Sequence, residues 1–413
     1  MVRIRPFRAF RPATGYEDKV AALPYDVMTS AEARVMAADK PLSFLHIDRA
    51  EIDLPEGTDP YAPEVYARAK SNLDKQIAEG VFIQDETPGF YIYRLTMDSR
   101  PQTGLVCCAS TRDYEAGVIK KHELTRADKE EDRVKHVDTL DANTGPVFLA
   151  ARQDEALSLL LEQAVLEVPV YDFAAEDGIR HEVWLLNEAD NEEIKSIFFR
   201  MEALYIADGH HRCAAAARVG KMRGEQNPGR AGEEEYEYFL AVVFPEEQLK
   251  ILDYNRVVAD LNGLTPEEFA AKLGEKFEVV PHAGEGPARP DKKHMFGMYI
   301  DGKWYSMTAR PGLVDDKDPV GRLDVAVLQD LVLAPILGIE DPRTDKRIDF
   351  IGGIRGLEEL ERRANTDMKV AFALYATTME DLFAVADAGL IMPPKSTWFE
   401  PKLRSGLFIH RLT

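Results

Sequence analysis

Three observations predict an α+β (mixed α/β) fold. Strand-like and helix-like segments alternate unevenly along the chain, which disfavours a regular doubly wound sheet. The 413 residues exceed one ordinary core, so two or three lobes are expected, and 45% hydrophobic residues are enough to fill them. No repeat with a period of about 20 to 50 residues occurs, so a solenoid or propeller is excluded.

Each element has a local reason. The opening segment reads as a strand, and Val20 to Val27 crosses Pro24-Tyr25-Asp26 as an extended turn. Thr29-Ser30 caps a helix running to about Ala38, and Tyr61 to Glu79 is a helix ended by Gly80. Gly89 to Thr96 and Thr103 to Arg112 have the composition of paired strands, and the charged run Lys129 to Leu140 is helical. Val168 to Leu186 reads as a hairpin turning at Glu176-Asp177-Gly178. A strand from Leu204 runs into an alanine-rich helix, Gly220 to Glu235 is polar and Gly-rich enough for a mobile loop, and Glu237 to Phe244 and Leu249 to Val257 are strands. Thr265-Pro266-Glu267-Glu268 starts a helix that reaches Phe277. Strands follow near Glu278 to Pro281 and Phe296 to Thr308, separated by a Pro- and Gly-rich loop over Pro281 to Lys293. Helices at Val325 to Leu337 and Leu357 to Arg363, a strand at Val370 to Tyr375, a helix at Thr378 to Ala388 and a strand at Leu407 to Arg411 complete the chain. The expected division is a main lobe over 1–262 and a C-terminal lobe over 263–413.

Charge narrows the function. With 51 basic against 72 acidic residues, net −21, the surface repels nucleic acid and anionic lipid, and neither is an expected partner. No stretch of about 18 apolar residues exists to span a membrane. Cys107, Cys108 and Cys213 are an odd, sparse set without a CxxC pair, which fits a reducing, cytoplasmic setting.

Within this acidic chain, Leu204 to Ala217 places a basic cluster at a strand-to-helix junction: Asp208-Gly209-His210-His211-Arg212. The first turn of a helix offers unpaired backbone N–H groups and the positive end of its dipole, and Gly209 permits close backbone approach. His210, His211 and Arg212 add side-chain donors, so the junction suits a phosphate group, with a small-molecule substrate as the partner. Three cations crowded there oppose the dipole unless an anion sits among them. The plainer reading makes Asp208 an N-cap, Gly209 a turn residue and the histidines ordinary core or surface groups.

Three further runs carry polar chemistry. Pro393-Pro394-Lys395-Ser396-Thr397 offers an ammonium and two hydroxyls on a proline-stiffened loop, as a phosphoryl group requires, or is a surface turn. His122-Glu123 precedes Lys129-Glu130-Glu131-Asp132-Arg133 and Asn143-Thr144-Gly145; Glu123 can act as a general base, or the run is a solvated charged face. Tyr25 and Asp26, like His122, can orient a small polar substrate, though Pro and Asp also dominate turns for local reasons. A zinc site at His210 and His211 is disfavoured by their adjacency. Mg²⁺ held by Asp208 or Asp26 with phosphate oxygens fits better.

The Asp208 to Arg212 box resembles the phosphate-binding box of the ParB/sulfiredoxin superfamily, with Gly209 and Arg212 on its glycine and last arginine. His210 stands where sulfiredoxin carries its catalytic cysteine, so sulfinic-acid reduction is not implied. The free-serine kinases of that superfamily have a similar Asp-Gly-His-His-Arg form and use a glutamate as base. Over nearly its full length the chain also resembles the DUF1015 family. The matching pieces are Arg5-Pro6-Phe7, Pro24-Tyr25-Asp26-Val27, His122-Glu123 with the charged run, the Asp208 box, and Pro393 to Thr397 through Gly406-Leu407. Tyr254-Asn255-Arg256 departs from an expected Thr-His-Arg, and Leu23 from a second proline.

These resemblances imply a ParB/sulfiredoxin-like core with additional α/β segments. They also imply a phosphotransferase acting on a small hydroxylated metabolite, foremost free L-serine or O-phosphoserine, with a nucleotide (ATP or ADP) or pyrophosphate as phosphate partner. Gly209, His210, His211 and Arg212 would hold phosphate, Lys395, Ser396 and Thr397 would close over it, and Glu123 or Asp208 would handle the proton. The alternatives are a non-catalytic nucleotide-responsive binding protein and a phosphatase or nucleotidase.

Overall fold

The computed structural model describes residues 1–229 and 232–413. The chain forms two compact units, Met1–Leu249 with Pro401–Thr413, and Lys250–Glu400. The division therefore falls earlier than the expected 262/263, and the last segment returns to the first unit. There the backbone of Ser405 pairs with Ala22, and Ile409 with Phe10.

The first unit is built on a nine-stranded sheet. Its order is Ile119–Lys120, Leu204–Asp208, Val147–Ala151, Tyr238–Pro245, Arg100–Ser110, Tyr91–Met97, Arg180–Leu185, Tyr171–Ala174, with Ile4–Arg5 also on Arg100–Ser110. Pairing is antiparallel except where Leu204–Asp208 meets Ile119–Lys120 and where Tyr238–Pro245 meets Val147–Ala151. Tyr238–Pro245 and Val147–Ala151 are buried throughout, as continuous apolar strands covered on both faces should be. The sheet thus holds the site-bearing strand Leu204–Asp208 next to a fully buried neighbour.

The helix that follows, His210–Gln226, packs on the helix Ala127–Leu140. Cys213, Ala214, Ala215, Ala216 and Ala217 are all buried; small side chains allow close helix approach at almost no rotamer cost. The helix continues through the residues expected as the start of a loop. Gly220 is the reason: a Cβ there would lie 2.6 Å from the Tyr236 carbonyl oxygen, so the glycine serves close packing. Only part of the 220–235 segment is non-helical, and residues 230–231 of it lie outside the described residues.

The second unit carries a six-stranded antiparallel sheet in the order Phe277–Pro281, Lys303–Ala309, Met295–Ile300, Val370–Leu374, Tyr254–Val258, Ile348–Gly352. Its helix starts follow their sequence signatures. Thr265 and Glu268 form a reciprocal capping box with Pro266 in the first turn, and Thr378 does the same with Asp381. Thr29 with Glu32 is the counterpart in the first unit.

Three elements differ from expectation. Leu249 to Val257 is two strands, Ile251–Leu252 on Trp398–Phe399 and Tyr254–Val258 in the large sheet. Asp253 turns the chain between them, its carbonyl accepting from Gly353 N at 2.7 Å. Val325 to Leu337 is helical only over Asp324–Leu328 and then widens to a π-turn over Gln329–Leu333, with Gln329 Nε2 donating to Ile339 O at 2.7 Å. At the C-terminus only His410–Arg411 is strand, paired with Ala142–Asn143. The helices Glu155–Ala164 and Asn191–Phe199 and the strand Ile348–Gly352 were not read from the sequence. No helix of the described residues is long and apolar enough to cross a membrane.

Candidate phosphate-binding site

Leu204–Asp208 ends in a register shift between Ile206 and Asp208, and the chain then turns through Gly209 at φ +91° into the helix. That φ is left-handed and costs any residue with a Cβ. The helix has no side-chain N-cap: Asp208 lies in the strand and does not cap it. The N–H groups of the first turn are therefore left without a capping side chain.

Arg212 folds back over this turn. A Cβ on Gly209 would lie 3.0 Å from the Arg212 Cζ and Nε, and one on Gly145 would lie 3.1 Å from Ser405 Oγ and 3.9 Å from Arg212 Nη1. Two glycines thus clear space around one guanidinium. Arg212 Nη1 donates to the Pro146 carbonyl, and Nη2 lies 3.5 Å from Asp208 Oδ2 and 3.9 Å from Asp26 Oδ2. Its side chain is 10% exposed, and Nε is buried with no hydrogen-bond acceptor among the described residues. Burial works against the Arg212 charge, but Asp26 and Asp208 outweigh it and keep the group firmly protonated.

Asp208 also faces Lys402, Nζ to Oδ2 at 3.4 Å. Burial alone would raise its carboxyl, yet Lys402, Arg212 and His210 hold it down at about 2. Asp208 is accordingly a charge anchor and a poor proton acceptor at neutral pH.

The expected crowding of three cations does not arise. Burial pushes His210 far below the ordinary imidazole range, helped by His122. Burial likewise lowers His122 to about 4 and lowers His211. The imidazoles are neutral near pH 7, leaving Arg212 as the only charged member of the three. The His122 and His210 rings meet edge to face at 4.6 Å, and Glu123 Oε2 stands 3.9 Å from His210 Nδ1. His211 Nε2 accepts from the Arg126 backbone N–H at 3.1 Å.

Tyr25, Asp26, Asp208 and Arg212 therefore come together, and Glu123, His122 and His210 form a second group joined to them through the box. Tyr25 is buried, with the Arg133 guanidinium 4.0 Å above its ring, and Arg133 is paired with Asp132 at 2.8 Å. Behind Arg212 lies a cavity of about 20 Å³ lined by Tyr25, Asp48, His136, Thr144 and Arg133, room for one water. Among the described residues no cluster of three or more His, Cys, Asp or Glu is placed to hold a metal ion.

Lys395, Ser396 and Thr397 belong to the second unit. Lys395 is exposed at φ +59°, and the buried Arg256 donates to the Lys395 carbonyl at 2.9 Å. Ser396 Oγ donates to Pro393 O at 2.6 Å, and Thr377 Oγ1 to Ser396 O at 2.9 Å. The backbone carbonyls of the loop are thus held by the side chains of Arg256, Thr377 and Ser396.

A family of proteins of unknown function, DUF1015, matches residues 4–326. The chain belongs to the DUF1015 family. No curated protein matches it. Among solved structures, a free serine kinase in complex with AMP is 15% identical, with 70% of this chain and 88% of that one covered and a TM-score of 0.34. A C-terminally truncated SbnI from Staphylococcus aureus is 12% identical, with 71% and 82% covered and a TM-score of 0.36. A conserved hypothetical protein from Pyrococcus furiosus is 14% identical, with 70% and 90% covered and a TM-score of 0.32.

Further residues surround the guanidinium of this DUF1015 member. Lys402 pairs with Asp208, and Ser405 and Gly145 wall in Arg212. The buried Asp48 accepts from Thr144 Oγ1 at 2.8 Å. Lys402 and Ser405 belong to the polar run that continues from PPKST, and Gly145 to the run downstream of His122-Glu123; Asp48 sits in an unremarkable helical turn and has no sequence signal.

Proposed function

We propose that the protein is a phosphotransferase acting on a small hydroxylated metabolite, foremost free L-serine or O-phosphoserine, with a nucleotide or pyrophosphate as phosphate partner. The observation that carries this reading is Arg212: a buried, charged guanidinium with an unsatisfied Nε, set beside an uncapped helix start and cleared by two glycines. A phosphate oxygen supplies the missing acceptor, and the first-turn N–H groups supply further donors. Neutral His210 and His211 can donate hydrogen bonds without adding charge.

Asp26 and Asp208 face the same point, so a phosphate arriving there alone would meet two carboxylates. Hard carboxylate oxygens suit Mg²⁺, and Asp26, a third exposed, would hold it with Asp208. When bound, the cation supplies neutralisation of phosphate charge. Glu123, half-exposed beside neutral His210, is the base toward the substrate hydroxyl, since Asp208 is held too acidic for that role.

Phosphorus NMR of the purified protein with L-serine, Mg²⁺ and ATP, ADP or pyrophosphate in turn tests it. A new phosphomonoester signal that depends on serine is the expected result. Nucleotide binding without turnover indicates a binding protein, and phosphate release without serine a phosphatase; either outcome overturns the assignment.

A further inference from the structure

A second, larger cleft lies in the first unit, apart from the Asp208 box. It measures about 710 Å³, within the range of small-molecule sites. Leu23, Met36, Leu42 and Phe173 give it apolar walls, Arg404 and Asp177 give it a charged end, and Asp18, Lys19, Asp39 and the Lys40–Glu176 pair at 2.7 Å line its outer part. The Arg404 side chain is 4% exposed. Its Nη2 pairs with Asp177 and its Nε donates to His181 Nε2 at 3.3 Å. Because His181 Nε2 accepts, its Nδ1 carries the proton and donates to Tyr93 Oη at 2.8 Å, which locks the imidazole and the guanidinium plane. His181 is also stacked between Phe173 and Tyr93, at 5.1 and 5.9 Å.

The charge balance selects the ligand. Arg404 is nearly buried and Asp177, 39% exposed, neutralises it, so a lone anion would have to displace Asp177 and a lone cation would leave the buried Arg404 without its counter-charge. A molecule carrying both charges satisfies both partners and leaves the balance unchanged. Asp177 sits on the exposed hairpin turn before Gly178 and can separate from Arg404 without disturbing the sheet. The apolar walls then favour a non-polar body attached to those charges. From this we infer that the cleft binds an apolar zwitterion, a free α-amino acid with an apolar side chain or a short peptide of such residues. Its carboxylate meets Arg404, its ammonium meets Asp177, and its side chain packs on Leu23, Met36 and Phe173.

Calorimetric titration of the full chain with L-leucine, L-phenylalanine and L-leucyl-L-leucine tests this, beside L-serine, 4-methylpentanoate and isoamylamine. The apolar amino acids or the dipeptide are expected to bind at least roughly tenfold tighter than all three comparators, and which of the two binds better separates the sources. Arg404→Gln should weaken that binding roughly tenfold or more, while Arg212→Ala should leave it unchanged. Should the buried Arg404→Gln chain fail to fold, Ala174→Trp fills the cleft from an exposed wall position and should abolish binding. Serine or either single-charge analogue binding as tightly as leucine, no binding by any of the six, or binding that survives Ala174→Trp overturns the proposal.

Discussion

Arg212 and Asp208 meet across Gly209, Nη2 to Oδ2 at 3.5 Å, so charge pairing takes the place of an N-cap at the end of the strand. The guanidinium can lie there only because position 209 has no side chain. Gly209→Ala is therefore expected to destabilise the protein by about 1–2 kcal/mol through its left-handed φ and to displace Arg212 as well. Urea unfolding measures the first effect, and weaker pyrophosphate binding by the folded variant the second.

Asp208 gives the site an acid limit. Its carboxyl is held at about 2 against an ordinary 3.8, so its contribution to stability is complete above about pH 4 and is lost as pH falls toward 2. Lys402→Gln removes one of the charges responsible. NMR titration of the Asp208 carboxyl should show an upward move in that variant, and its acid unfolding should begin at higher pH.

The buried histidines act in a different window. His122 and His136 are lowered to about 4, each primarily by burial, against an ordinary 6.5. Between those values the unfolded chain binds protons that the folded chain does not, so stability falls as pH drops from about 6.5 to about 4. His122→Gln should reduce the protons taken up on unfolding at pH 5 by about one, measured from the slope of unfolding free energy against pH.

Gly220 sets how closely the helix bearing the box approaches the backbone at Tyr236. Gly220→Val places carbon against a carbonyl oxygen that cannot retreat, and should cost about 1–3 kcal/mol by overpacking. Thermal unfolding checks this. The same variant should loosen the helix, so its pyrophosphate affinity is expected to fall too.

How much was legible in the sequence follows from which interactions are local. The Asp208-Gly209-His210-His211-Arg212 junction, the Thr29, Thr265 and Thr378 helix starts and the hairpin at Glu176 to Gly178 depend on neighbours a few residues away, and all three kinds of feature form where their residues indicate. The loop expected from Gly220 failed because glycine marks a turn only when no backbone approaches it; here the approaching group is Tyr236, on the far side of the loop. The expected cation crowding failed because protonation depends on burial, and the burial of His122 and His210 comes from tertiary packing. Asp48, which receives Thr144 from far along the chain, has no sequence pattern that could announce it.

The most direct test of Arg212 as a phosphate ligand is calorimetric binding of pyrophosphate and ADP, with Mg²⁺, to the wild-type chain and to Arg212→Gln. Saturable binding by the wild type and a loss of roughly 3 kcal/mol or more in the variant, well over a hundredfold in affinity, is the expected result for a buried guanidinium paired with phosphate. Equal affinities in the two folded proteins would contradict it.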